Sequence, residues 1–476
     1  MRTKMFVIFV QLAVVGAMLA ACAAPVPTPV VVKETVIVAG TPQVVEKTVI
    51  VAGTPQVQVV EKTVVAPATP AARPKLRMWI DHTFFSVATD AMWKAQALQY
   101  AAQEGFDLEY QQDVNDVMFP KEDAALESKT FPDVFYSSID RCARPVRAKQ
   151  ALDVTDLVAE LNKNMGGIAP GLLAATRSAD GKNYMVPFAL ISEYLYVRQD
   201  QLDKAGMKFP DTWEDLLAFG LKVNDPANKM WGWAVQLGPS YDAERELNSM
   251  LADYGASLFS KDGKSVALDS PETRQVLELI KKAWDAGIEP QDVLTGDDSW
   301  NNTKYLSGQV ATVRNTGSIA KTLAASNADL MEKTALGKPL AGPKGRFMTT
   351  NGYCFVIASY TKYPDLAKGL VKYLSAPEQY KPFMNEMQGF RAPGYVSLDD
   401  LPMWKNPVLK PAYDTLQYAI FPGYPGPATD AANEAFTQQL LAKMVGRMLG
   451  DKWTADQAIA ETVTKANDIL QKYPTP

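Results

Sequence analysis

Leu76-Arg77-Met78-Trp79-Ile80, then Asp107-Leu108-Glu109-Tyr110-Gln111, then Asp133-Val134-Phe135-Tyr136-Ser137 are the runs that decide the fold. Each is short, apolar or alternating, and rich in residues that favour strands. Between the first two, Ala91, Ala95, Leu98 and Ala102 recur at helical spacing and predict one buried helix face. Strands that alternate with helices predict βαβ units, a mostly parallel sheet and the α/β class. Further along, helix starts are well marked. Thr212 to Asp215 has the form of a capping box, and Ser270-Pro271 places proline just inside a helix that Gly287 can end. Leu277, Ile280 and Trp284 form the buried stripe of that helix, and Ile459, Val463, Ala466 and Leu470 that of a last helix opened by Thr454. Trp231 and Trp233 read as core.

From Pro74 to Pro476 the chain is longer than one hydrophobic core accommodates, so two domains are expected. Hydrophobic residues make up 47% and charged residues 21%, a globular balance, and the net charge of −5 argues against nucleic acid as a partner. After Met18 no apolar run is long enough to cross a bilayer.

The first 75 residues read as an address and a tether. Met1, Arg2 and Lys4 precede an apolar run, Met5 to Met18, that ends in Leu19-Ala20-Ala21-Cys22. The run is too short to span a membrane and reads as an export signal. Leu-Ala-Ala-Cys resembles the bacterial lipoprotein signal, which implies cleavage before Cys22 and acylation of that cysteine, with several chains giving stable anchorage. Residues 23–75 hold no aromatic residue and no leucine. Thr35–Val44 (TVIVAGTPQV) recurs unchanged at Thr48–Val57. Prolines and β-branched residues predict a semi-stiff extended spacer, and a small β-element built from the valine runs is the alternative.

Candidate chemistry is sparse. His82 is the one histidine, and no G-x-S-x-G elbow, Walker A loop or G-x-G-x-x-G follows a strand. The pairs Asp297-Asp298 and Asp399-Asp400 are as expected by chance among 53 acids. Cys142 and Cys354 form no CxxC or Cys/His cluster, so a structural metal is not expected. The chain therefore reads as no enzyme, with neither cofactor nor metal. Polar and aromatic residues do gather at predicted strand ends: Asp81-His82-Thr83-Phe84-Phe85 after the first, Ser138-Ile139-Asp140-Arg141 after the third. Ligands bind beyond the carboxyl ends of strands in open α/β sheets, and rings beside acids and amides suit a polar small molecule.

Taken in order, several segments resemble the extracellular solute-binding proteins of ABC transporters, the maltose-binding-protein-like class. They are Phe131-Pro132-Asp133-Val134-Phe135, Asp140-Arg141, Tyr184-Met185-Val186-Pro187 through Tyr194-Leu195-Tyr196-Val197, Pro210-Asp211-Thr212-Trp213-Glu214-Asp215-Leu216, Leu306 to Ala311, Ala367 to Leu374, and the closing Gly450–Leu470 region. The resemblance implies a two-lobe periplasmic-binding-protein-like fold (type II) with three hinge crossings, near Leu190–Tyr194, Thr349–Gly352 and Gly389–Pro393. One lobe would comprise residues 76–191 and 353–388, the other 192–352 and 389–476, behind a signal (1–21) and a tether (22–75). It also implies a cleft that takes its ligand contacts from His82, Phe84, Asp140, Arg141, Glu193 and Tyr241. Trp300, Asn301, Asn315, Thr316, Asn351, Arg391 and Tyr424 complete the expected set. Asp140 and Arg141 are expected to face the ligand and to matter little for stability. In this fold the strand bearing Cys354 would run beside the third strand, which implies a Cys142–Cys354 disulfide. Ser318 and the run Phe421 to Pro427 depart from the family's aromatic positions and place maltose-like specificity in doubt.

The expected function is capture of a mono- or oligosaccharide by hinge closure and delivery to an ABC permease. The receptor would be a monomer on the outer face of the cytoplasmic membrane, held by lipid alone. A polyol phosphate on the same scaffold is the alternative, since Arg141, Arg314 and Arg391 leave phosphate open. A tethered hydrolase using His82 or a carboxylate pair is the cross-class alternative.

Overall fold

The computed structural model describes strands Val30–Val38 (β1), Thr41–Val49 (β2) and Val64–Val65 (β3), and residues 72–474 apart from 83–84, 179, 388, 397–400 and 407–408. The expected export signal, Cys22 and Phe84 lie outside the described residues. The chain divides into two units, Met1–Ala72 and Arg73–Pro476.

In the first unit β1 and β2 pair antiparallel from Val38↔Thr41 to Val30↔Val49, and β3 runs parallel to β1. Thr35 and Val44, the two ends of the first repeat copy, are partners across the ladder. Over these described strands the chain follows the alternative, a small β-element, rather than the extended spacer. Only two residues separate the strands, and β-branched side chains favour pairing, so the repeat folds back as a hairpin.

The second unit begins with Lys75–Asp81 (β4), Asp107–Asp113 (β5) and Val134–Ser138 (β6), followed by Val186–Ile191 (β7) and Tyr194–Arg198 (β8). Next come Thr312–Asn315 (β9), Thr334–Gly337 (β10), Met348–Thr349 (β11), Gly352–Ile357 (β12), Arg391–Pro393 (β13) and Ala419–Ile420 (β14). A six-stranded sheet has the order β13-β7-β12-β6-β4-β5, and a three-stranded sheet the order β10-β8-β9. They form the centres of a first and a second lobe. Only β4–β5 and β4–β6 are parallel in the larger sheet; β12 and β13 return antiparallel, and the smaller sheet is antiparallel throughout. Neither sheet is mostly parallel as expected: the larger is mixed, because β12 arrives from the other lobe against the local direction and β13 doubles back on β7, and the smaller is antiparallel.

The first-lobe core is aromatic. Trp93 lies edge-on to Tyr136 (4.6 Å) and stacked on Phe188 (5.6 Å), with Phe383 at 4.6 Å. Trp93 also corrects the expected helix face. On Val87–Gln103 the buried stripe is Thr89, Trp93, Ala97 and Ala101, while Leu98 is exposed, because the large indole takes the core position. The helix Trp213–Val223 starts with the expected capping box of Thr212 and Asp215, and Ser270 caps Pro271–Asp285. Trp233 is buried, and Gly232 beside it passes so close to Gly220 that a Cβ would lie 2.0 Å from its carbonyl oxygen.

Three passages join the lobes. Ser192 and Glu193 connect β7 to β8, and Thr350 and Asn351 connect β11 to β12. The third lies later than the expected Gly389–Pro393, because β13 is the edge strand of the first-lobe sheet. After it Val396 N still donates to Gly167 O (2.9 Å), and the chain changes lobe near Thr415, whose hydroxyl meets Ser192 Oγ at 2.8 Å. Ile191 N donates to Asn351 O and Thr350 N to Ile420 O, both at 2.9 Å, so the passages lie side by side.

Two second-lobe acids make stability depend on pH. Asp253 is buried; it accepts from Trp213 Nε1 (2.8 Å) and Phe347 N (2.7 Å), and burial pushes its carboxyl up to about 8. Burial raises Glu289 as well. A carboxyl that holds its proton more tightly when folded contributes stability at low pH that is lost as pH rises through the folded value. The unfolding free energy should therefore fall between pH 5 and pH 8, by up to about 1.4 kcal/mol per pH unit for each retained proton, and the thermal midpoint should fall with it. Asp253→Asn should flatten part of that slope in calorimetry.

Candidate functional site: the cleft between the lobes

Asp81 ends β4 and Ser138 ends β6, so both open at the same edge of the first-lobe sheet. Ser137 Oγ donates to the buried Asp81 at 3.1 Å. The helix Ile139–Arg147 follows directly and carries Asp140 in its first turn, where the helix dipole favours an acid. Asn351 Nδ2, from the second passage, donates to Asp140 Oδ1 at 3.0 Å.

Across the cleft, Ser240 caps the helix Tyr241–Tyr254, placing Tyr241 and Asp242 at its start. Burial pushes the Tyr241 phenol up to about 12, and Asp140 of the first lobe adds to the shift, which places the two within electrostatic reach. The Tyr241 ring lies 5.9 Å from Phe436. Asn301 donates to Asp242 Oδ2 (2.9 Å), Asn315 donates to Asn301 Oδ1 (2.8 Å), and Thr316 N donates to Asn315 Oδ1 (2.6 Å). Glu193 is nearly enclosed, its oxygens accepting from Arg245 Nε (2.6 Å) and Arg314 Nε (3.0 Å). At the rim Arg147 reaches Asp430 of the second lobe at 3.2 Å.

Asp140, Asn351, Tyr241, Asn301, Asn315, Thr316 and Glu193 thus lie along the facing walls and the crossing between them. The remaining expected residues have other engagements. Arg141 is committed to its own lobe: Nη2 lies 2.6 Å from the fully buried Glu122, and the guanidinium sits 4.0 Å over Phe119. The expectation of an Arg141 indifferent to stability is corrected, since its charge answers a buried acid. Trp300 packs on Gly296 and donates to Asp292 at 3.2 Å, beside Lys304. Tyr424 joins Phe347 at 5.0 Å. Arg391 is enclosed in the first lobe, 3.4 Å over the Tyr353 ring and donating to Tyr136 Oη at 2.7 Å. His82 Nδ1 meets Asp90 at 2.9 Å. Cys142 and Cys354 are free, buried thiols, not the expected disulfide; Cys142 Sγ donates to Cys354 O at 3.2 Å.

Asp242, Arg245 and Phe436 were not anticipated from sequence. The Gly238-Pro239-Ser240 run, a loop ending in a good N-cap, was the available signal for the first two. Among the described residues no His/Cys/Asp/Glu group is arranged to hold a metal, and no helix is long and apolar enough to cross a membrane.

Two lobes on antiparallel returns, three adjoining passages and a polar cleft meet a matching family profile over residues 86–381, that of the bacterial extracellular solute-binding proteins. The chain belongs to this family. A protein of Escherichia coli K12 named as an ABC transporter periplasmic-binding protein is 32% identical over 156 residues, 32% of this chain and 36% of that one. A Deinococcus radiodurans ABC transporter-binding protein is 24% identical over 217 residues, 44% of this chain and 51% of that one. The solute-binding protein thus spans about a third to a half of the length of these curated relatives. Among solved structures, a Thermotoga lettingae solute-binding protein bound to α-D-tagatose superposes with a TM-score of 0.68 at 19% identity, covering 83% of this chain and all of that one. An Arthrobacter chlorophenolicus sugar transporter protein with laminaribiose gives 0.69 at 18% identity, covering 83% and 99%. These likenesses show the two-lobe fold.

The contrast between neighbours Asp140 and Arg141 is testable. Burial pushes Glu122 up to about 7 while Arg141 and Arg144 pull it down. Arg141→Ala should cost about 3 kcal/mol in urea unfolding, because it leaves a buried acid short of its partner. Asp140→Asn should change stability by less than about 1 kcal/mol.

Proposed function

We propose that this solute-binding protein is a lipid-anchored receptor that captures a neutral carbohydrate between its lobes and presents it to an ABC importer permease. The carrying observation is the state of the charges along the cleft. Arg141 is paired with Glu122, while Arg245 and Arg314 are paired with Glu193. Asp140 has an amide donor, Asn351, and no ion-pair partner among the described residues. The walls therefore offer carboxylate, amide and phenol groups, which suit hydroxyl groups, while their cations are engaged. A phosphate would need convergent free cations or a helix N-terminus clear of acids. The Tyr241–Phe436 pair adds flat apolar surface for sugar C–H groups. Structural neighbours crystallised with tagatose and laminaribiose accord with this solute class.

Solute that touches both walls stabilises the closed arrangement, because only there are both sets of contacts made. Thermal-shift measurements with neutral mono- and disaccharides should raise the midpoint for at least one, with about 2.7 kcal/mol of stabilisation at a hundredfold excess over Kd. The sugar should be recovered unchanged. A shift given only by sugar phosphates would point to the phosphate reading, and consumption of the sugar to an enzyme.

The anchor is a separate part of the reading, supported by Leu19-Ala20-Ala21-Cys22. Cys22→Ser should move the protein from the membrane fraction to the medium. Retention on the membrane would mean another form of anchorage.

A further inference from the structure

Arg245 lies in the second turn of the helix Tyr241–Tyr254 and joins the cleft wall to the hinge. Its Nε donates to Glu193 Oε1 at 2.6 Å, and Glu193 is one of two residues between β7 and β8. Its Nη2 pairs with Asp242, which stands next to Tyr241 and also accepts from Asn301 at 2.9 Å. Both Glu193 (4% exposed) and Arg245 (8%) are shielded, so water competes little for these bonds. The same helix holds the second passage. Ser249, one turn beyond Arg245, accepts from Thr349 N at 2.8 Å and donates to Arg245 O at 2.8 Å. One helix thus touches the cleft at its start and two of the three passages along one face.

We propose that Arg245 is a positioning residue that couples the cleft carboxylate Asp242 to the hinge through Glu193. A guanidinium holds its donors in one rigid plane, so its grip on one carboxylate orients it toward the other. A solute hydroxyl that draws on Asp242 weakens or turns that grip, and the change is felt at Glu193, inside the β7–β8 passage. Occupancy of the cleft and hinge angle are then set together rather than by solute contacts alone. Arg314 steadies the second oxygen of Glu193, so the carboxylate pivots instead of being released.

This coupling rests on the receptor reading, and a measurement made without any solute separates the two. Amide hydrogen exchange across residues 190–194 and 349–351 is to be followed by mass spectrometry in the solute-free, full-length protein. Asp242→Asn, a change in the cleft wall, should accelerate exchange at residues 190–194 about threefold to tenfold, the range set by typical coupling energies. Glu193→Gln should do the same, and the double variant should show no more than the larger single effect, because both act through Arg245. Arg245→Lys keeps the charge but replaces the rigid fork of donors with a single ammonium on a flexible stem, so it loses the orienting grip and should match them. Asp292→Asn, in the same lobe but outside the chain of contacts, should leave these amides unchanged. Unaltered exchange in Asp242→Asn, additive effects in the double variant, or wild-type behaviour of Arg245→Lys would each overturn the coupling. Were Asp242→Asn not to fold, Arg245→Lys alone decides between the same two outcomes.

Discussion

Burying a carboxylate costs several kcal/mol unless charge and hydrogen bonds replace the water it loses. Glu193 is such a carboxylate, placed where the chain first leaves one lobe for the other and gripped by Arg245 and Arg314. Those arginines come from a helix and a strand of the second lobe, so the passage is tied to that lobe by the most demanding interaction in the cleft. Much of the local architecture follows from it. The helix Tyr241–Tyr254 must bring Arg245 inward, which sets Tyr241 and Asp242 at the cleft wall. β9 must deliver Arg314 to the same point, which sets Asn315 and Thr316 beside Asn301. Met348–Thr349 packs on the same helix through Ser249, so the first two passages share one support.

The first lobe is organised differently. Its centre is an aromatic cluster around Trp93, Tyr136 and Phe188, and its cleft edge is made by strand ends rather than by a charge network. Apolar packing is insensitive to salt and to modest changes of angle at the hinge. An aromatic lobe facing a lobe whose wall is wired to the passages suits the proposed closure around a solute. The Asp140–Asn351 contact is where the two schemes meet, because Asn351 belongs to the second passage.

Several residues show how far sequence reading reached. Strand positions near Leu76, Asp107 and Asp133 were legible from local apolar pattern, and the helix starts at Thr212 and Ser270 from capping chemistry, because both depend on neighbours in the chain. Asp140 was placed at a strand end by the same logic. Arg141, its neighbour, was misread: nothing local reveals that Glu122, on an earlier helix, is buried and needs a cation. Leu98 was assigned to the core for its hydrophobicity, and Trp93 took that place because of its size. The late third passage was hidden for a similar reason, since Arg391–Pro393 finds its partner in β7 across the sheet.

By itself, then, the sequence determined the class of the fold and which segments carry polar groups to strand ends. These rest on periodicity, capping and composition, which act within a few residues. Only the tertiary structure decided which charges remain for a solute and which are committed to one another. It paired Arg141 with Glu122 and Arg245 with Glu193, set Asp140 against the Asn351 amide, and folded the repeat at Thr35–Val44 onto itself. The physical reason is that ion pairing and desolvation depend on distance in space, and residues such as Glu193 and Arg314 meet only after the chain has crossed between lobes and returned.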